Sequence, residues 1–140
     1  MEIDEEKLSN QLMEIEYIRK ELENYINVLN NLQATQDNIA RALDGFTSLK
    51  SNKEILIPYA QDIFIKGNIT DLDTALVGIG SNVFKSFSLK ELKEKLESDF
   101  KEVSENINSI AQTIQTLQER GAKLEEDANK LYESYQNSLR

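Results

Sequence analysis

Residues 54–87 read EILIPYAQDIFIKGNITDLDTALVGIGSNVFKSF, and they decide the fold because they break the helical spacing that governs the rest of this 140-residue chain. Ile, Val, Phe and Gly crowd the stretch, which also holds the chain's single proline. "EILIP" predicts a strand ended by Pro58, and "QDIFIKGNI" a second strand with Ile63, Ile65 and Ile69 on one face. "TALVGIG" predicts a third and "NVFKSF" a fourth, with turns at "YA", "TDLD" and "GSN". Two β-hairpins of this size cannot build much of a core, and an isolated hairpin is marginal in water. Their edges and apolar faces need other copies or other subunits. Ile55, Ile57, Ile63, Ile65, Ile69, Leu76, Val77, Ile79, Val83 and Phe84 are therefore expected where subunits join.

On either side of this island the apolar residues recur in sevens. From Leu8 one heptad position reads Leu8, Ile15, Leu22, Leu29, Gln36, Leu43, and the other reads Gln11, Ile18, Tyr25, Leu32, Ile39, Phe46. From Leu96 the same holds for Leu96, Val103, Ile110, Leu117, Leu124, Leu131 and for Phe100, Ile107, Ile114, Gly121, Ala128, Tyr135. Such regularity, with charged and amide side chains between, marks a coiled-coil seam. Ser88 followed three residues later by Glu91 is a capping box for the second helix. Each helix spans about 45 residues, or roughly 65 to 70 Å at the α-helical rise. Helices of equal length flanking a compact insert are expected to close as an antiparallel hairpin, one seam against the other. The expected fold class is thus α+β: a long antiparallel coiled-coil helical hairpin with two β-hairpins inserted at its base, through which subunits assemble. The chain is expected to be a single domain over 1–140, divided into a helix over 1–50, assembly hairpins over 54–87 and a helix over 88–138. In that register Gly121 opposes Tyr17 and Ile18. It either makes room for a large neighbour across the seam or loosens the arm near its tip, since Gly is costly in a helix interior.

Composition removes most chemistry. The chain has no Cys and no His, so disulfides, the usual zinc ligand sets, thiol nucleophiles and the commonest general base are missing. A net charge of -9 argues against nucleic acid as partner. No basic leader precedes an apolar core, and no apolar run nears the roughly 20 residues that span a bilayer. A cytoplasmic protein with no membrane partner is expected. "DLDTALVGIGSN" places Asp71 and Asp73 at calcium-loop spacing, but Leu76 stands where the loop needs Gly and Asn82 where it needs Glu. Gly78 and Gly80 lack the third glycine of a dinucleotide fingerprint, and Asn68 begins a glycosylation sequon in form only. Paired acids such as Glu5 and Glu6, or Glu125 to Asp127, lie on solvated helix faces, where no dry pocket would perturb their pKa values. No enzyme, no metal and no cofactor are expected.

A long heptad helix, then ILIPYAQDIFIKGNITDLDTALVGIGSNVFKSF, then a second long heptad helix resembles prefoldin over nearly the whole chain. The specific features are the strand through Ile57 and Pro58, then Gly67, Asp71, Asp73 and the VGIG run of Val77 to Gly80. Two hairpins rather than one make it similar to the alpha-type subunit. The resemblance implies a chaperone without ATP chemistry, in a hexamer of two alpha-type and four beta-type subunits. In such a hexamer a double β-barrel platform carries six coiled-coil tentacles. Nonnative polypeptides would be held between the tips and passed to a group II chaperonin. It also implies client contacts at the distal arm ends, here the apolar residues of both termini: Leu8, Leu12, Met13, Ile15, Tyr17, Leu131, Tyr132, Tyr135 and Leu139. Leu8, Ile15, Leu131 and Tyr135 fall on the seam and have arm packing as their alternative use. Leu12, Met13, Tyr17, Tyr132 and Leu139 fall off it and have no obvious partner within the chain. Flexible Met and amphipathic Tyr suit weak contact with many sequences. The competing reading is a structural coiled-coil protein, or a filament-forming prefoldin paralogue, that transfers no client.

Overall fold

The computed structural model describes residues 2–49 and 53–139. In chain order the elements are α1 (Glu2–Gly45), a 3-10 turn (Phe46–Ser48), β1 (Glu54–Ala60), β2 (Ile63–Asn68), β3 (Thr74–Gly80), β4 (Val83–Ser88) and α2 (Leu89–Ser138). Two helices with two inserted β-hairpins make an α+β fold, as the alternation of periods predicts. The first helix ends at Gly45, and Lys50, the last residue assigned to it from sequence, lies outside the described residues. The chain forms two compact units: residues up to Ala34 with those from Ser104 onward, and Thr35–Val103.

The first unit is an arm of two antiparallel helical segments. Every heptad seam position in it is buried or half-buried, and most residues between are exposed. Ile18, 3% exposed, Ile114 and Ala128 are the buried apolar residues among those described. Burying a side chain of that size stabilises by about 2 kcal/mol, so a two-helix arm depends on many such layers rather than on one centre. The direction of the pairing is visible where Tyr135 reaches Glu5 while Gly121 meets Ile18, so that position falls along one helix as it rises along the other. Arg120 donates to Glu14, and Arg19 lies 4.0 Å from Glu125, each bridging heptad positions that flank the seam on the same side. Those flanking charges set partner orientation in coiled coils. Gly121 stands against Ile18, and a Cβ built on it would come to 3.4 Å of the Ile18 Cγ2 methyl. Tyr17, the other residue expected there, is 64% exposed, because one helical step turns it off the seam.

The second unit holds the helix ends and the hairpins. Ile39, Leu43, Phe46, Leu96, Phe100 and Val103 continue the half-buried pattern. The α2 helix begins directly on β4, where the Glu91 N–H donates to Ser88 Oγ at 3.1 Å and satisfies one orphan donor of the first turn. β1 and β2 pair antiparallel, as do β3 and β4, in two separate two-stranded sheets.

Three details of the hairpins correct the sequence expectation. β1 does not stop at Pro58: that residue pairs with Phe64 and the strand runs to Ala60, with a register irregularity between them. A two-stranded sheet is all edge, so a proline without an N–H is tolerated. The turn consequently falls at Gln61 and Asp62, not at Tyr59 and Ala60, with Asp62 at a φ of 60°. β2 ends at Asn68, which leaves Ile69 just beyond it, its N–H donating to the Lys53 carbonyl at 3.4 Å. The second hairpin turns at Ser81 and Asn82, both with positive φ, the requirement of a tight two-residue hairpin loop. Asp71 accepts from the Asp73 N–H at 2.7 Å, so the calcium-like spacing serves a local turn between the hairpins.

Candidate functional site

In the arm unit, the first and last turns of the two helices bring N- and C-terminal residues together. Tyr135 donates from its hydroxyl to Glu5 Oε1 at 2.6 Å, and Gln136 donates to the Tyr132 hydroxyl at 2.8 Å. The Glu5 carboxylate holds the Tyr135 phenol above its usual range, chiefly by accepting that hydrogen bond. Beside this contact lies an open groove of about 470 Å³, lined by Glu5, Leu8, Ser9, Leu12, Met13, Glu16, Tyr132 and Tyr135.

Five of the nine terminal residues proposed from sequence line this groove: Leu8, Leu12, Met13, Tyr132 and Tyr135. Leu8 and Tyr135 are half-buried seam residues, whereas Leu12, Met13 and Tyr132 are exposed, Met13 at 69%. Ile15 and Leu131 are half-buried in seam layers elsewhere on the arm. Tyr17 and Leu139 are exposed and lie outside this groove. Sequence reasoning passed over Glu5, Ser9 and Glu16, which line the groove as well. The signal was present, because residues 5, 9, 12 and 16 form one helical row. What the groove offers chemically is a desolvatable apolar floor with a thioether and two phenols, and no nucleophile–base pair. Among the described residues no group of three or more His, Cys, Asp or Glu side chains could hold a metal ion.

The hairpins present a second surface. Leu76 is 74% exposed and Phe84 63%; Ile57, Ile63, Ile65, Ile79 and Val83 are also exposed, while Ile55, Ile69 and Val77 are half-buried. Leu56, Tyr59 and Phe64, absent from the sequence-derived set, are exposed too. The β1–β2 register puts Leu56 and Phe64 on the face opposite Ile57 and Ile65, so both faces of that hairpin are apolar and open. On the second hairpin the Phe84 ring covers Gly78 across the strands, its Cε1 lying 3.4 Å from where a Cβ would be. Open apolar area of this extent in so few residues exceeds the scattered exposure usual on a monomer's surface.

Comparison with known proteins accords with these features. The family described as "Prefoldin subunit" matches residues 3–134. The chain is 28% identical over 118 residues to prefoldin subunit alpha of Thermofilum pendens, covering 81% of this chain and 92% of that one. It is 24% identical to prefoldin subunit alpha 1 of Methanocaldococcus jannaschii over 134 residues, 96% of this chain and 86% of the relative. Among solved structures, a chain of a filamentous PFD from Methanocaldococcus jannaschii shares the fold with a TM-score of 0.51 at 17% identity, over 91% of this chain and 99% of that one. No described helix is long and apolar enough to cross a membrane. The heptad helices, the paired hairpins and these matches together make the chain an alpha-type member of the prefoldin subunit family of chaperones.

Proposed function

We propose that the chain is an ATP-independent chaperone subunit that captures nonnative polypeptides at the distal end of its helical arm. The observation that carries this reading is the terminal groove, where exposed Leu12, Met13 and Tyr132 surround a hollow built from both chain ends. Apolar side chains so placed have no partner layer within the arm, and weak contacts of this kind gain strength when several arms act on one client. The hairpin surface supports the matching half of the proposal. There, Leu76, Phe84 and the isoleucines of the first hairpin would join beta-type prefoldin subunits in a hexamer of two alpha and four beta, in the cytoplasm. Clients would pass from it to a group II chaperonin. Residues 54–87 would serve as the assembly segment and the flanking helices as the arm of a single domain. Full-length chain carrying Leu12→Ser, Met13→Ser and Tyr132→Ser, assembled with a beta-type subunit, tests the capture site. Aggregation of an unfolding client should proceed nearly unchecked with helicity and assembly intact, and undiminished protection would remove the groove from the mechanism.

A second reading has its own support. The structural neighbour is a filamentous PFD, and hairpins open on both faces can join copies end to end as well as close a platform. Light-scattering mass after size exclusion separates the two. A defined hexamer appearing only with the beta-type subunit supports the chaperone complex, and a homopolymer indifferent to that partner supports a filament.

A further inference from the structure

The groove at the end of the arm has a charge pattern as well as an apolar floor. Among the described residues its only charged lining side chains are carboxylates, Glu5 and Glu16. Eleven residues separate them along one helix, a rise of about 16 Å, and Leu12 lies in the row between. Glu5 accepts the Tyr135 hydroxyl through Oε1, and a carboxylate has two acceptor oxygens with lone pairs beyond the one that this bond uses. Glu16 is more than half exposed and holds only a long 3.5 Å contact with Arg19 on the next turn. The surroundings reinforce the sign: residues 2–23 carry eight carboxylates against three basic side chains, Lys7, Arg19 and Lys20. A field of one sign at a cleft concentrates ligands of the other.

Resting on the capture reading above, we infer that this groove selects client segments whose apolar core is flanked by Lys or Arg, and disfavours those flanked by Glu or Asp. The geometry sets the spacing. About 16 Å is the length of roughly five extended residues, and because extended side chains alternate faces the best segment places basic residues at an even spacing, about four or six positions apart, around an apolar run. Each contact is solvent-exposed and therefore weak, and salt screens it. The selection is about fivefold in affinity for the pair, enough to bias which stretch of an unfolded chain is held without excluding others.

Three labelled peptides test this, each with the same Leu/Phe core and flanked at six-residue spacing by Lys, by Gln or by Glu. Binding is measured by fluorescence anisotropy to the full chain assembled with a beta-type subunit, in low salt and in about 0.5 M salt. The expected order is Lys over Gln over Glu, with about fivefold between the extremes, collapsing in high salt. Glu5→Gln with Glu16→Gln should bring the three together, and Glu16→Lys should favour the Glu-flanked peptide, with helicity unchanged in both. Equal affinity for all three peptides overturns charge selection while leaving capture at the groove standing. A preference that survives the double variant overturns the assignment to these two carboxylates. Failure of every peptide to bind overturns the capture reading itself.

Discussion

The arm and the hairpin unit solve opposite problems with the same kinds of residues. In the arm, the apolar positions Leu8 to Leu32 find their complement on α2 from Ile107 to Tyr135, and ion pairs such as Glu14 with Arg120 seal the flanks. The segment satisfies itself. In the hairpins, Leu56, Ile57, Phe64, Ile65, Leu76 and Phe84 are as apolar as any seam residue yet remain open. The difference lies in period and length. A helical stripe repeated over many turns can meet a second stripe within one chain, whereas two-residue periodicity over six or seven residues offers two faces and nothing to cover them. At the arm's end Leu12, Met13 and Tyr132 stay open around the groove, off the seam.

The largest expected effect would break that contrast from the hairpin side. Leu76→Asp together with Phe84→Asp should collapse any oligomer to monomers by light scattering, while far-UV helicity is retained. Loss of helicity as well would mean that the arm depends on assembly and is not self-satisfied. Next comes the arm's most buried side chain. Ile18→Ala should cost about 4 kcal/mol in urea unfolding, in the upper part of the range for buried aliphatic truncations because Gly121 opposite it has no side chain to fill the space.

A smaller gain is expected at Gln11, a seam position whose Oε1 is buried without a hydrogen-bond partner among the described residues. Gln11→Leu should stabilise the arm by about 1 kcal/mol, since a buried unmet acceptor costs about that much. A neutral or destabilising outcome would show that this layer is wet. The smallest effect tests Gly121. Gly121→Ala places a methyl at ordinary contact distance from Ile18 and removes the backbone entropy cost of glycine, for a gain of about 0.5 to 1 kcal/mol. Slower hydrogen exchange in the terminal turns would sharpen the view of Gly121 as a loosening point, and unchanged exchange would leave it as a spacer for Ile18.

Much of the fold was legible in the residues because both periods are local. The heptads located every seam layer, the VGIG run and its Ser-Asn turn located the second hairpin, and Ser88 with Glu91 located the start of α2. The first hairpin was read less well. Pro58 signals a strand end only where its missing N–H would be needed, and pairing partners are not a local property. The same limit hid Leu56, Tyr59 and Phe64, whose exposure depends on what covers the opposite face.

The candidate site divides along the same line. Sequence by itself determined which terminal side chains lie off the seam, because heptad position follows from counting. Only the tertiary structure decided that Leu12 and Met13 share a groove with Tyr132 and Tyr135, more than a hundred residues away, and that Glu5 and Glu16 stand at its ends. Helix pairing alone sets that register, through layers such as Ile18 on Gly121 that no single helix contains.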